Sequence, residues 1–126
     1  MMAVQRLSLD GTLASLPPEW PRDPLPAIRS HVRERGEKIV VVDDDPMGMQ
    51  ASFNVTVLMD WALDTIVDDF RFNPRPTFIV ANSRGKSTPA AECTVGEIVR
   101  NLTEAAQMTD RPLVIIGRGD STLRGH

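Results

Sequence analysis

The apolar residues of this chain are grouped in short runs that predict four β-strands. Residues 38–42, a lysine followed by four β-branched residues, form a continuous run between Gly36 and an acidic cluster. Such runs are typical of strands that are buried on both faces, as in parallel sheets. Shorter apolar runs predict further strands at residues 55–59, 77–81 and 113–116.

The clearest helical pattern lies between the last two predicted strands, at residues 88–109. Apolar residues recur there every three or four positions and form one face of a helix. Thr88 is the predicted capping residue and Pro89 the predicted first helical position, which suits a residue without a backbone N–H. The apolar face consists of Ala91, Val95, Ile98, Leu102 and Ala105.

Two shorter helices are predicted nearer the start of the chain. Residues 25–35 have Pro26 in the first turn and Gly36 just past the end. A second helix is predicted to extend to Phe70, with Asp60 as its N-cap. Its candidate core residues are Trp61, Ile66 and Phe70.

The first 26 residues contain five prolines, which exclude a long helix or a central strand there. We interpret this stretch as an extended arm. The remaining order, in which strands alternate with helices, indicates an α/β fold. Strand–helix–strand units place successive strands parallel, so we predict a mainly parallel sheet with flanking helices.

Composition and charge exclude several function classes. A net charge of −3 and an isoelectric point near 5.3 provide no field that attracts a polyanion, so nucleic acid is not an expected partner. No apolar run has the length of a membrane span, and no targeting peptide is evident, so we expect no membrane partner and a cytoplasmic location. Cys93 is the only cysteine, which excludes an internal disulfide and a multi-thiolate centre, and we predict no metal site.

Three polar segments hold the candidate chemistry, and each begins where a predicted strand ends. They are DDDPMGMQ at residues 43–50, NSRGKS at residues 82–87 and RGDSTLRGH at residues 118–126. The carboxyl ends of parallel strands lie on one side of a sheet, where open α/β folds bind ligands. We therefore expect the three segments to share one crevice.

The residue types in these segments suit a small hydroxylated acid. Arginine can bind a carboxylate in bidentate fashion, and aspartate, asparagine and serine can pair with hydroxyl groups. Lys86 is expected to be a solvated surface side chain. Each segment also has a purely structural interpretation, as a cap, a surface turn or a flexible end. The candidate site residues are Asp43, Asp44, Asp45, Asn82, Ser83, Arg84, Arg118, Asp120, Ser121 and Arg124.

These segments resemble the N-terminal domain of the four-carbon acid-sugar kinase family. The family pattern has an acidic D-D-D-P-T-G-T-Q turn, a T-N-S-R strand end and an S-R-S-D-S-T-L-R-G-H loop. The corresponding segments here are DDDPMGMQ, ANSR and GRGDSTLRGH, in the same order and with similar spacing. The proline-rich SLPPEWP opening is also similar to that of some members, so the resemblance spans essentially the whole chain.

The resemblance implies an ATP-dependent kinase that acts on threonate, erythronate or a 3-oxo-tetronate. This domain would hold the acid, with the three aspartates of the first segment at the acceptor-hydroxyl end. ATP and Mg²⁺ are implied for the full-length family, with the nucleotide on a separate C-terminal domain. Which aspartate would act as the base is left open. The residues that would contact the acid are Arg84, Asp120, Ser121 and Arg124.

Two departures from the family pattern change these expectations. Met47 and Met49 replace threonines, which removes two hydroxyls from the first segment and adds apolar bulk. The chain also stops at His126, directly after its last motif. We therefore expect residues 1–36 to form a proline-rich arm with a short helix and residues 37–126 to form part of a larger sugar-acid-binding α/β domain. Without a nucleotide-binding domain, the chain alone is expected to be inactive as a kinase and to self-associate through an exposed sheet edge.

Two other function classes stay open. A strand followed by Asp43 and Asp45 also matches the D-x-D motif of haloacid-dehalogenase phosphatases, with Asp43 as the nucleophile and Asp45 as the acid. Against this, Met47 lies where those enzymes have threonine or valine, and no later lysine and acidic pair can be placed. The third class is a non-catalytic fragment that binds an acid or a partner.

Overall fold

The computed structural model describes residues 8–119, which form an α/β fold. Its first elements are α1 (Leu9–Ala14), α2 (Leu25–Arg35), β1 (Lys38–Asp43), a 3-10 turn (Gly48–Ala51) and β2 (Thr56–Leu58). They are followed by α3 (Leu63–Phe72), β3 (Thr77–Val80), α4 (Thr88–Thr109) and β4 (Leu113–Arg118). Within residues 8–119, the helices are too short or too polar to cross a membrane.

The four strands form one all-parallel sheet in the order β2-β3-β1-β4. Strand β1 is central, and its Val41 lies beside Phe78 of β3 and Ile116 of β4. This confirms the predicted parallel sheet with flanking helices. Because all strands run in the same direction, their carboxyl ends lie at one edge, where the polar segments begin.

The hydrophobic core lies between the sheet and the helices α3 and α4. Ile66 of α3 and Ile98 and Leu102 of α4 have no exposed surface, and they cluster with Val40 and Ile79 of the sheet. Full burial of each such side chain contributes about 1.5 to 3 kcal/mol. The core therefore fixes α3 and α4 against the strands whose ends carry the candidate site.

The buried face of α4 is rotated slightly from the predicted one. Val95 was expected to face the core but is 37% exposed, whereas the neighbouring Thr94 is buried. The Thr94 hydroxyl donates to the carbonyl of Ala90 at 2.9 Å, which satisfies its polar group within the helix. Thr94 can therefore occupy the buried position that the apolar pattern assigned to Val95.

A buried ion pair joins the start of β1 to the end of α3. Lys38 has no exposed surface, and its Nζ lies 2.8 Å from Oδ2 of Asp69. The same nitrogen donates to the carbonyls of Asn73 and Arg75 at 3.1 and 2.9 Å. Asp69 also accepts from the Thr77 hydroxyl at 2.7 Å and from the Asn73 amide at 2.6 Å. The pair thus has the additional hydrogen bonds that a buried charge pair requires.

The N-terminal stretch differs from the predicted extended arm, because residues 9–14 form helix α1. The first proline is Pro17, so this segment is free of proline. The Ser8 side chain accepts from the backbone N–H of Gly11 at 2.9 Å and caps the helix. Helix α2 has the predicted bounds and ends at Gly36, which adopts the left-handed conformation with φ of 63°.

The N-caps of α3 and α4 also differ from the predicted ones. Helix α3 begins at Leu63 with Ala62 at the cap, although Asp60 was the predicted cap. Asp60 instead accepts from the backbone N–H of Ala62 at 3.0 Å, which forms a turn just before the helix. Helix α4 has the predicted bounds, but its cap is Ser87 and Thr88 is already helical.

Candidate functional site

The carboxyl ends of β1, β3 and β4 bring parts of the three polar segments together. The backbone N–H of Asp44 donates to the carbonyl of Arg118 at 3.1 Å, and that of Arg84 donates to the carbonyl of Asp44 at 3.2 Å. The segment after β1 therefore lies between the other two. We call the group formed by Asp43, Asp44, Asp45, Arg84 and Arg118 the strand-end cluster.

Asp43 is the last residue of β1 and the most deeply buried residue of this cluster. Its side chain is 1% exposed. Its Oδ2 accepts from Nη1 of Arg118 at 2.9 Å, and its Oδ1 accepts from the backbone N–H of Asp45 at 3.2 Å. Both carboxylate oxygens are thus used within the protein. A phosphatase nucleophile must reach its substrate, so this geometry does not support the D-x-D interpretation.

Arg84 holds the other two aspartates of the cluster. Its Nε and Nη2 donate to Oδ2 and Oδ1 of Asp44 at 3.2 and 2.9 Å, and its Nη1 donates to Oδ2 of Asp45 at 2.6 Å. Bidentate pairs of this kind are among the strongest charge-assisted hydrogen bonds. Three of the five guanidinium donors of Arg84 are therefore directed at Asp44 and Asp45 in the segment after β1.

Arg118 differs from Arg84 in how much of its guanidinium is engaged. It is the last residue of β4, and this strand extends two residues beyond its predicted end at position 116. Its side chain is 48% exposed. Among residues 8–119, its hydrogen-bonded side-chain partner is Asp43, through Nη1. Within that part of the chain, Nε and Nη2 of Arg118 have no hydrogen-bonded side-chain partner, so they can donate to a ligand.

The strand-end cluster combines three carboxylates with two guanidinium groups, so it carries one net negative charge when all are ionised. Asp44 and Asp45 retain partial exposure, with 13% and 24% of their side chains accessible. An ionised carboxylate only accepts hydrogen bonds. The exposed part of the cluster thus offers acceptors for hydroxyl groups beside the donors of Arg118.

Asn82 and Ser83 shape the segment after β3. Asn82 is exposed and has a φ of 46°, in the left-handed region that asparagine adopts more readily than most residues. Ser83 is buried, and its carbonyl accepts from the backbone N–H of Lys86 at 3.0 Å. These two residues turn the chain sharply at the end of β3, so that Arg84 lies over Asp44.

The expectation that Lys86 is a solvated surface residue was wrong. Lys86 is half-buried, its Nζ donates to the Thr94 hydroxyl at 2.7 Å, and it lies 5.8 Å from the ring centroid of Trp61. Cation–π and hydrogen-bonded contacts of this kind hold the lysine stem against the protein. The contact joins residues from three separate segments, so no local pattern indicates it.

Three other candidate residues, Asp120, Ser121 and Arg124, lie outside the described residues. One residue that the candidate list omitted belongs to the described site: Gly48, which lies against Asp43 and Arg118. Its sequence signal is its place within the DDDPMGMQ segment, because a glycine allows close approach of the backbone.

A cavity of about 250 Å³ adjoins the cluster, close to the lower size limit of small-molecule sites at about 300 Å³. Asp44, Ser83 and Arg118 are among the residues that line it, together with Val95 and Ile115, and its surface is mainly apolar. Two larger hollows, of about 500 and 480 Å³, lie near the end of α4 and along α3. Neither is lined by members of the strand-end cluster.

Comparison with known protein families gives a match. A family model described as a sugar-binding N-terminal domain matches residues 39–126. The matched region covers all three polar segments. No curated protein and no solved structure matches the chain.

Proposed function

Because the chain belongs to the family of sugar-binding N-terminal domains, we propose that it binds a four-carbon sugar acid at the strand-end cluster. Threonate, erythronate and 3-oxo-tetronates are the candidate ligands. The three motifs at the strand ends, which resemble those of four-carbon acid-sugar kinases, support this choice. The chain would then serve as the substrate-binding part of an ATP-dependent kinase.

The observation that carries the proposal is the arrangement of charges at the strand ends. Arg84 holds Asp44 and Asp45 in place as hydroxyl acceptors. Arg118 is anchored by Asp43 through Nη1, and in the described part of the chain its Nε and Nη2 have no side-chain partner. A short polyhydroxy acid presents the complementary groups, with hydroxyls at one end and a carboxylate at the other. Because the protein groups are already paired and oriented, little conformational freedom is lost on binding.

ATP and Mg²⁺ belong to the proposed reaction, but the described residues do not suit the metal ion. The carboxylates of Asp43, Asp44 and Asp45 are each bonded to an arginine. Between residues 8 and 119, no group of three or more histidine, cysteine, aspartate or glutamate side chains is arranged to hold a metal ion. We therefore assign to this domain the binding and orientation of the acid, and we propose that the nucleotide and its metal are held by a separate domain of the kinase.

The last polar segment extends the proposal beyond the described residues. We propose that Asp120, Ser121 and Arg124 also contact the acid, as the motif resemblance implies. The planar guanidinium of Arg124 suits a bidentate contact with the ligand carboxylate, which lysine cannot reproduce.

Calorimetric titration of the 126-residue chain tests the proposed function. Erythronate and threonate should bind, whereas erythritol, which lacks the carboxylate, should bind at least about tenfold more weakly because a charge-assisted hydrogen bond is lost. Arg118→Met should reduce this preference, and Arg100→Met, a change at an exposed position of α4, should preserve it. The absence of binding to any four-carbon acid would contradict the proposal.

A further inference from the structure

Gly48 lies directly against the ion pair between Asp43 and Arg118. A Cβ atom at position 48 would overlap Nη1 of Arg118 and both Oδ2 and Cγ of Asp43. Any residue other than glycine therefore conflicts with the ion pair as it stands. The two paired side chains come from β1 and β4, so the backbone at position 48 covers the junction between these strands.

The conflict would be relieved mainly by movement of Arg118. Asp43 is almost fully buried at the end of a central strand, and its second oxygen is held by the backbone N–H of Asp45. Arg118 has a long side chain that is half exposed. A larger residue at position 48 should thus displace the guanidinium while Asp43 stays in place.

We propose that Gly48 and Asp43 are positioning residues that aim the Arg118 guanidinium at the carboxylate of the ligand. Gly48 acts by leaving room for Nη1, and Asp43 acts by holding that nitrogen. The remaining donors, Nε and Nη2, are then fixed in direction, because the guanidinium is planar. This inference rests on the proposed function, since it concerns how the same site recognises the acid group of its ligand.

The arrangement separates the roles of the two arginines. Arg84 directs three donors at Asp44 and Asp45, so it acts chiefly on the shape of the acidic segment. Arg118 uses one nitrogen for Asp43 and presents the others at a half-exposed position. Among residues 8–119, discrimination between an acid and a neutral polyol should therefore depend on Arg118 and on the two residues that position it.

The experiment compares erythronate with erythritol in calorimetric titrations of the full chain. Gly48→Ala should weaken erythronate binding about 10- to 100-fold, the effect of a lost charge-assisted hydrogen bond, and should leave erythritol binding nearly unchanged. Gly85→Ala is the matched control, because a Cβ at position 85 meets no atom within 4 Å. A general loss of folded structure would weaken the binding of both ligands alike. The ratio of the erythronate affinity to the erythritol affinity therefore reports the position of the Arg118 guanidinium.

Two further variants keep the test decisive. Asp43→Asn removes the ion pair without adding bulk, and it should also lower the preference for erythronate. In an Arg118→Met background, Gly48→Ala should change erythronate affinity by no more than about twofold, because the residue through which it acts is gone. If Gly48→Ala fails to fold, Asp43→Asn decides the question.

The outcomes separate this inference from the proposed function. A wild-type chain that binds no four-carbon acid would refute both. A wild-type chain that prefers erythronate, together with an unchanged preference in Gly48→Ala or in Asp43→Asn, would refute the inference and leave the proposed function standing. Additive losses from Gly48→Ala and Arg118→Met would likewise overturn the inference.

Discussion

The Arg84 guanidinium and the Asp44 carboxylate meet as a fork, with Nε 3.2 Å from Oδ2 and Nη2 2.9 Å from Oδ1. The two residues are 40 positions apart in the chain. Their contact joins the segment after β1 to the segment after β3, next to the cavity at the strand ends. The shape of the site therefore depends on a two-point contact between a guanidinium and a carboxylate. A lysine ammonium, which acts as a point charge, cannot reproduce this geometry.

Replacement of Arg84 should accordingly destabilise the protein and the site together. We expect Arg84→Met to lower the free energy of unfolding by about 1 to 2 kcal/mol, because Asp44 and Asp45 lose a partly buried partner. Arg84→Lys should recover only part of this loss, since an ammonium cannot form the fork. Urea denaturation measures the effect. An equal stability of Arg84→Lys and wild type would contradict it, and Arg100→Met should change stability by less than about 0.5 kcal/mol.

The buried pair of Lys38 and Asp69 gives a second prediction about stability. Lys38→Met should lower the free energy of unfolding by about 3 to 5 kcal/mol, because it leaves the Asp69 carboxylate buried without a cation. The double variant with Asp69→Asn should be more stable than Lys38→Met alone, since the uncompensated charge is then removed. A Lys38→Met protein within 1 kcal/mol of wild type, a difference of about fivefold in the folding equilibrium, would contradict the prediction.

Burial lowers the pKa of Lys38 below its ordinary value of 10.5, while Asp69 opposes this shift and Arg111 adds to it. Between the lowered value and 10.5, the unfolded chain holds more of this proton than the folded chain. The free energy of unfolding should therefore rise with pH in that window, by at most about 1.4 kcal/mol per pH unit, and this contribution should be constant below it.

The composition of the chain makes this pH dependence measurable. Tyrosine is absent, and the chain has two lysines, Lys38 and Lys86. Urea denaturation between about pH 8 and 10.5 should show the rise in wild type, and subtraction of the Lys38→Met profile should isolate it. A difference between the two profiles that stays flat or falls with pH would contradict the lowered pKa.

The parts of the fold that the sequence predicts well are those whose limits are marked locally. Helix α2 has a proline in its first turn and a glycine at its end, and helix α4 follows a short polar N-cap residue. Both helices therefore have their predicted bounds. The convergence of the polar segments follows from the parallel direction of the strands, which the alternation of strands and helices predicts.

The details that the sequence does not predict are set by contacts between distant segments. The fork between Arg84 and Asp44 and the contact of Lys86 with Trp61 both depend on how α3, α4 and the strand ends pack. Local patterns contain no information about such partners, so the roles of these residues became visible only in the folded chain.

The outer edge of β4 gives a prediction about association. Val114, Ile115 and Ile116 are 37%, 38% and 47% exposed, and within the described part of the chain no strand pairs with this edge. An apolar, unpaired edge favours pairing with a second chain. We expect concentration-dependent self-association in sedimentation velocity, which Ile116→Lys should reduce. Val57→Lys, on the three-residue edge strand β2, should have less effect, and a chain that is monomeric at all concentrations would contradict the prediction.

The first polar segment contains two methionines where the family pattern has threonines. Met47 is 60% exposed, and its backbone N–H holds the turn by donating to Oδ1 of Asp45 at 2.7 Å, while its Sδ accepts a weak hydrogen bond from the Gln50 side-chain amide at 3.7 Å. Met49 is half-buried. The backbone of this segment should therefore tolerate a change of the Met47 side chain.

We expect the double variant Met47→Thr with Met49→Thr to bind four-carbon sugar acids more tightly than wild type does. Each new hydroxyl that pairs with the ligand should raise the affinity by about 2- to 10-fold, the value of one net hydrogen bond. Calorimetric titration with erythronate measures the gain. Met108→Thr is the matched control, because Met108 is 55% exposed at the far end of α4, away from the strand ends. A gain of equal size in the control, or no gain in the double variant, would show that these positions do not face the ligand.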